Sequence, residues 1–272
     1  MRIVIIAILF FLFSCTNRVE PYADYLNHND TVSYVGIESC MMCHYDIYQT
    51  YIQTGMGQSM SLATPENSEA IFSDSSILKD TFNQLTYHPF WQDSLLKIKE
   101  IHAHNERVEV ADYIVGSGHH TNSHLLNENG YVHQMPFTYY TQDGKLDFPP
   151  GFENGYNSRF SRTIGLECMS CHNAMPEFVM GSENKYTKVP EGIDCERCHG
   201  PGELHVQLMM NGELVDTSKH IDYSIVNPKK LSLEAQFQIC MRCHLQGNTV
   251  LEEGKSFKDF KPGMELSEIM TV

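Results

Sequence analysis

The chain has 272 residues, 42% of them hydrophobic, and 19 Lys and Arg against 34 Asp and Glu give a formal charge of −15 at pH 7. That length allows one large domain or two small ones. The acidic balance excludes nucleic acid as a partner, because neutralising phosphate needs a basic face, and leaves solubility or the steering of a basic partner as its uses.

The chain opens with MRIVIIAILFFLFSC, in which Arg2 is the one charged residue and eleven apolar residues run from Ile3 to Phe13. Such a run is too short to span a bilayer and fits the apolar region of an export signal. Leu12 to Cys15 resembles the bacterial lipobox. Residues 1–14 are therefore expected to be a lipoprotein signal peptide, Cys15 the lipid-modified mature N-terminus, and 15–33 a tether. An ordinary signal peptide with a chance cysteine is the alternative. The expected location is exported and lipid-anchored to a bacterial membrane, on its periplasmic or cell-surface side.

The eight remaining cysteines form four pairs: Cys40 and Cys43, Cys168 and Cys171, Cys195 and Cys198, Cys240 and Cys243. Each pair is followed at once by a histidine, namely His44, His172, His199 and His244. Chance would produce this at roughly one in 10⁵. On a helical turn, residues i and i+3 share a face, so both thiols can add to the two vinyl groups of one haem, and the next residue points its imidazole at the iron. C-x-x-C-H is the c-type haem attachment motif, and four copies imply four haem c groups with those histidines as proximal iron ligands. Zinc ribbons also pair cysteines this way, and the second and third motifs lie near ribbon spacing, but zinc does not call for a histidine after every pair. Disulfides suit an exported chain, although a two-residue loop between bonded cysteines is mainly a redox-active arrangement.

Between the motifs, YDIYQTYIQTGMGQSM reads as a helix ending near Gly55. From 82 to 116, β-branched and aromatic runs with alternation predict a small antiparallel sheet turning at HNE. Residues 143–158, dense in Gly, Pro, Asn and Asp, predict a loop, and GPG at 200–202 should turn the chain out of the third motif. With four motifs in 272 residues, much of the core would be porphyrin. The expected fold is a multihaem cytochrome of mainly short α-helices and irregular coil around the haems, with a small antiparallel β-sheet near 82–116. Residues 34–265 form its tetrahaem domain, and 266–272 read as the start of a truncated continuation.

The phrases IGLECMSCHNA, GIDCERCHGPGELHV and NPKKLSLEAQFQICMRCHLQG resemble the multihaem c-type cytochromes of the cytochrome c-554 group, over roughly 34–265. That resemblance implies distal iron ligands drawn from outside the motifs. His205 ranks first, through CHGPGELH. In YIVGSGHHTNSHLL, His120 aligns best, with His119 and His124 as alternates. Met56, in TGMGQSM, stands where related proteins often carry a histidine, and a thioether there would raise that haem's potential. The implied function is electron transfer between redox donor and acceptor proteins, such as quinol-oxidising or other cytochromes, at the membrane that holds the anchor. The alternative is a haem-dependent reductase of a small nitrogen or oxygen species at a five-coordinate iron, with Arg159, Arg162 or the Tyr139–Tyr140 pair supplying protons. No motif carries lysine in place of its histidine, which removes one marker of a nitrite-reducing haem.

Overall fold

The computed structural model describes residues 25–245 and 247–272. The expected signal peptide, Cys15 and the tether up to residue 24 lie outside the described residues. Helices α1 (Ile37–Met41) and α2 (Tyr45–Tyr51) come first, followed by strands β1 (Met60–Leu62), β2 (Leu78–Asp80), β3 (Leu85–Gln92), β4 (Leu95–His102) and β5 (Asn105–Val110). Strands β6 (Tyr113–Val115), β7 (Thr121–Glu128), β8 (Tyr131–Tyr140), β9 (Lys145–Asp147) and β10 (Arg162–Thr163) complete the β-rich part. Then come α3 (Leu166–His172), β11 (Glu177–Phe178), β12 (Tyr186–Lys188), α4 (Glu196–His199), α5 (Glu203–Met210), α6 (Leu233–His244), β13 (Val250–Leu251) and β14 (Met270–Thr271).

This corrects the expected fold. Fourteen strands among the described residues, all pairing antiparallel, make the molecule mostly β-structure rather than helices and coil around haems. One sheet has the order β2-β3-β4-β5. A second runs β1-β6-β7-β8-β10 with β9 also on β8, so β-structure extends far beyond the 82–116 window and enters the expected loop at 143–158. The reason is tertiary: strands that bury both faces do not show clean alternation, so their pattern is weak in the sequence.

Alternation does build the four-stranded sheet. In β3, Leu85 and Tyr87 point inward, and in β4 so do Leu96, Ile98 and Glu100. Glu100 is buried as a carboxylate because Arg159 grips both of its oxygens, which offsets its desolvation. Leu85, Tyr87, Leu96 and Ile98 meet Ile114, Leu126, Met135 and Phe137 of the six-stranded sheet in one core. Fully burying each such side chain contributes about 1.5–3 kcal/mol.

A bulge between Ser123 and Leu125 turns β7 so that Leu125 faces the other way. There it joins Met60, Val132, Ile164, Met169 and Tyr186 in a second cluster. Met169 belongs to the second C-x-x-C-H motif, so the outer face of the six-stranded sheet is the platform on which that motif rests. The expected helix after the first motif is shorter than anticipated, ending at Tyr51. No helix among the described residues is long and apolar enough to cross a membrane.

Candidate haem centre

Each motif forms one helical turn. In the first, which bridges α1 and α2, the His44 amide donates to the Cys40 carbonyl at 2.9 Å; in the third, at α4, the His199 amide donates to Cys195 at 3.0 Å. The second lies wholly within α3, and the fourth ends α6. Helix α6 begins at a true cap, where the Ser232 hydroxyl accepts from the Ala235 amide. All four motif histidines are exposed, as are Cys43, Cys168 and Cys240, while the other five thiols are half-buried.

Distant motifs converge. The thiols of Cys40 and Cys195 are neighbours, and their interaction pushes the Cys40 pKa up and the Cys195 pKa down. Cys171 and Cys243 form a second such pair: the interaction with Cys243 is the main force drawing Cys171 down to about 6. Burial, and then the nearby Cys240, push the Cys198 thiol up. The first motif thus adjoins the third, the third adjoins the fourth, and the fourth adjoins the second.

Buried polar groups hold this junction. Glu196, inside the third motif, accepts from the amides of Val35, Gly36 and Gly202 at 2.7–3.1 Å, tying the lead-in of the first motif to the exit of the third. Asn27 donates to the carbonyls of His199 and Pro201, and the Ser59 hydroxyl donates to the His172 carbonyl. None of these partners is signalled by a pattern in the sequence.

Of the five expected distal ligands, the structure brings one against a motif histidine. His205, on α5, faces His44 with ring centres 6.5 Å apart and planes 14° from parallel. Two imidazoles on one metal, each bonded at about 2 Å, would put their ring centres roughly 6 Å apart. Nδ1 of His205 lies 3.1 Å from both the Ser224 hydroxyl and the Asp222 carboxylate, and Nδ1 of His199 donates to the Val226 carbonyl at 2.8 Å. Fixing Nδ1 in this way leaves Nε2 as the metal-binding nitrogen.

The other four lie elsewhere. His120 is exposed and bonded to Gln142 at 2.8 Å. His119 is exposed beside Gly55. His124 is fully buried between the sheets, stacked on Phe137 at 4.2 Å. Met56 is 44% exposed in the turn after α2, and its carbonyl accepts from the Ile193 amide just before the third motif. Arg159 is committed to Glu100, while Arg162 donates to Gln134 and Pro150 and covers the Phe152 ring at 4.0 Å.

A cleft of about 1040 Å³ opens between Val35–Glu38, Tyr48 and Ile52 on one side and Ala174–Pro176 and Ile193–Asp194 on the other. It lies at the upper end of cofactor-pocket volumes. One wall directly follows His172 and another directly precedes Cys195. Oδ1 of Asp194 is buried there without a partner, and burial, then the neighbouring Glu196, push its carboxyl up to about 6. Paired thiols, oriented imidazoles and this space fit the group that the motifs imply.

Residues 153–200, which hold the second and third motifs, match the family model for cytochrome c554 and c-prime. The solved structure of the outer cell wall cytochrome OcwA is similar in fold, with a TM-score of 0.53 at 15% identity over 88% of this chain. The family match covers less than a fifth of the chain. The chain spans 44% of the length of OcwA. No curated protein matches it closely.

Proposed function

We propose that this chain is a c-type cytochrome that holds four haem c groups, one at each C-x-x-C-H motif, and relays single electrons between donor and acceptor proteins. Covalent attachment falls to Cys40 and Cys43, Cys168 and Cys171, Cys195 and Cys198, and Cys240 and Cys243. His44, His172, His199 and His244 are the proximal ligands. A bound haem supplies a one-electron iron couple whose potential follows axial ligand, burial and nearby charge.

The observation that carries this reading is the facing pair His44 and His205, spaced for one metal between them. His44 and His205 would together hold the iron of the first motif, although His205 lies next to the third. The sites follow one another in space in the order first, third, fourth, second, set by the neighbouring thiols Cys40 and Cys195, the neighbouring thiols Cys171 and Cys243, and Cys240 lying near enough to Cys198 to act on it electrostatically. Contiguous sites are what a relay needs, whereas the residues considered as proton donors are held in structural contacts of the β-region.

Export and lipid anchoring through Cys15 complete the proposal, placing the relay on the periplasmic or cell-surface side of a bacterial membrane, with quinol-oxidising or other cytochromes as partners. The test is an intact mass of the purified holoprotein followed by reduced spectra with and without carbon monoxide. Four added haems and a His205→Ala variant that gains carbon monoxide binding support the reading. Fewer than four haems, or a variant whose spectrum does not respond, sinks the count or the ligand pair respectively.

A further inference from the structure

Arg197 and Arg242 occupy the same place in the third and fourth motifs, directly before the second cysteine, where the first and second motifs carry Met42 and Ser170. Their exposures are 5% and 8%. A guanidinium keeps its charge in any folded protein, so burying two of them demands compensation. Among the described residues neither forms an ion pair.

Dipoles and an aromatic face solvate them instead. Arg197 donates to the Ser170 carbonyl through Nη2, and its Nη1 lies 3.0 Å from the Met175 sulfur. Arg242 donates to the Phe257 carbonyl at 3.0 Å and sits 5.7 Å from the centre of the Phe260 ring, while its buried Nε has no partner. Arg197 therefore reaches from the third motif into the second. Cys171 of the second motif, in turn, lies 3.9 Å from the Arg242 carbonyl oxygen in the fourth. Neither neighbouring buried acid pairs with them: Glu196 accepts from three backbone amides, and Oδ1 of Asp194 has no partner.

The geometry points to Arg197 and Arg242 as a permanent cationic node that raises the reduction potential of the haem irons held at the second, third and fourth motifs, so that electrons settle there before the first motif. The inference rests on the proposed four-haem relay. A ferric site carries one more positive charge than the ferrous site formed when a donor, or an electrode, adds one electron. A fixed cation in a poorly screened interior disfavours the ferric form. The first motif, with Met42 at that position, lacks this bias.

The test is a mediated spectroelectrochemical titration of the holoprotein, after counting haems by intact mass. Arg197→Met and Arg242→Met should each move part of the high-potential fraction to lower potential, and the matching Lys variants should titrate as the native protein does. Fully loaded Met variants that titrate like the native protein overturn the node, as do Lys variants that shift as far as the Met ones. Should the Met variants fail to load haem, a Cys40→Ala/Cys43→Ala protein decides: loss from the low-potential fraction supports the node, and loss from the high-potential fraction overturns it. A native protein lacking the expected haems would sink the proposed function itself.

Discussion

Between Met60 and Thr163 the chain packs Tyr87, Leu96, Ile98, Ile114, Met135 and Phe137 into one continuous core between two sheets, whereas the flanking segments leave all four motif histidines exposed. Those segments have only small apolar clusters, such as Tyr25, Val226, Leu231 and Ala235, or Phe260, Leu266, Ile269 and Met270. The difference shows two ways of stabilising a chain. The β-region supplies its own apolar partners, while the motif region, on the proposed function, is arranged around a group that the side chains do not provide. Loss of haem should therefore loosen one region and spare the other.

The largest effect that can break this comparison comes from replacing Cys195 and Cys198 with Ala. The protein should lose one covalent haem by mass, and amides of α4 and α5 should lose hydrogen-exchange protection by about 100-fold or more. Amides of β3, β4 and β8 should keep theirs. Equal loss of protection in both regions would show that the sheets depend on the cofactor after all.

Next in size is Phe137→Ala. Phe137 is fully buried, stacked on His124 and edge-on to Phe72, so truncation should destabilise the β-region by about 3–5 kcal/mol. Urea unfolding followed by tryptophan fluorescence reads this through Trp91, which packs against the same core. The reduced haem spectrum should not change, and if it does, the two regions are not separable.

The sequence exposes these two regions unequally. The motifs are legible because covalent chemistry demands a fixed spacing, and β3 and β4 are legible because they alternate. Strands β7 and β8 are not, since Asn122, His124 and Thr138 occupy buried positions that an apolar pattern would leave out. His205 stands out through its phrase, but its partner His44 lies far away in the chain, and only folding brings them together. Arg197 and Arg242 repeat at one motif position in the sequence, but only the fold shows that both are buried.

His124 sharpens the comparison through pH. Burial pushes its imidazole down to about 3, and neither ring nitrogen has a hydrogen-bond partner. The unfolded chain takes up a proton on this residue below about 6.5, while the folded chain stays neutral until about 3. Its contribution is therefore fully present above about pH 6.5 and declines as pH falls, by about 1.4 kcal/mol per unit. Between pH 7 and pH 5 the native β-region should lose about 2 kcal/mol that a His124→Leu protein does not lose. Parallel urea melts at the two pH values that show equal losses would contradict this.

The smallest effect lies at the seam between the regions. Asn129 and Gly130 close the hairpin from β7 to β8 with φ of 56° and 92°, the two-residue turn that glycine permits. A Cβ on Gly130 would come within 2.7 Å of the Tyr186 carbonyl oxygen. Tyr186 is itself joined to the hairpin by its amide on the Gly130 carbonyl at 2.8 Å, and its hydroxyl donates to Ile164 just ahead of the second motif. Gly130→Ala thus strains the turn and displaces the strand that steadies that motif, at a cost of about 1–2 kcal/mol. Because the damage falls on the seam, the unfolding midpoint should drop modestly and the exchange protection of α3 should fall with it. A change confined to β7 and β8 would mean that the second motif is held by its haem and not by the platform beneath it.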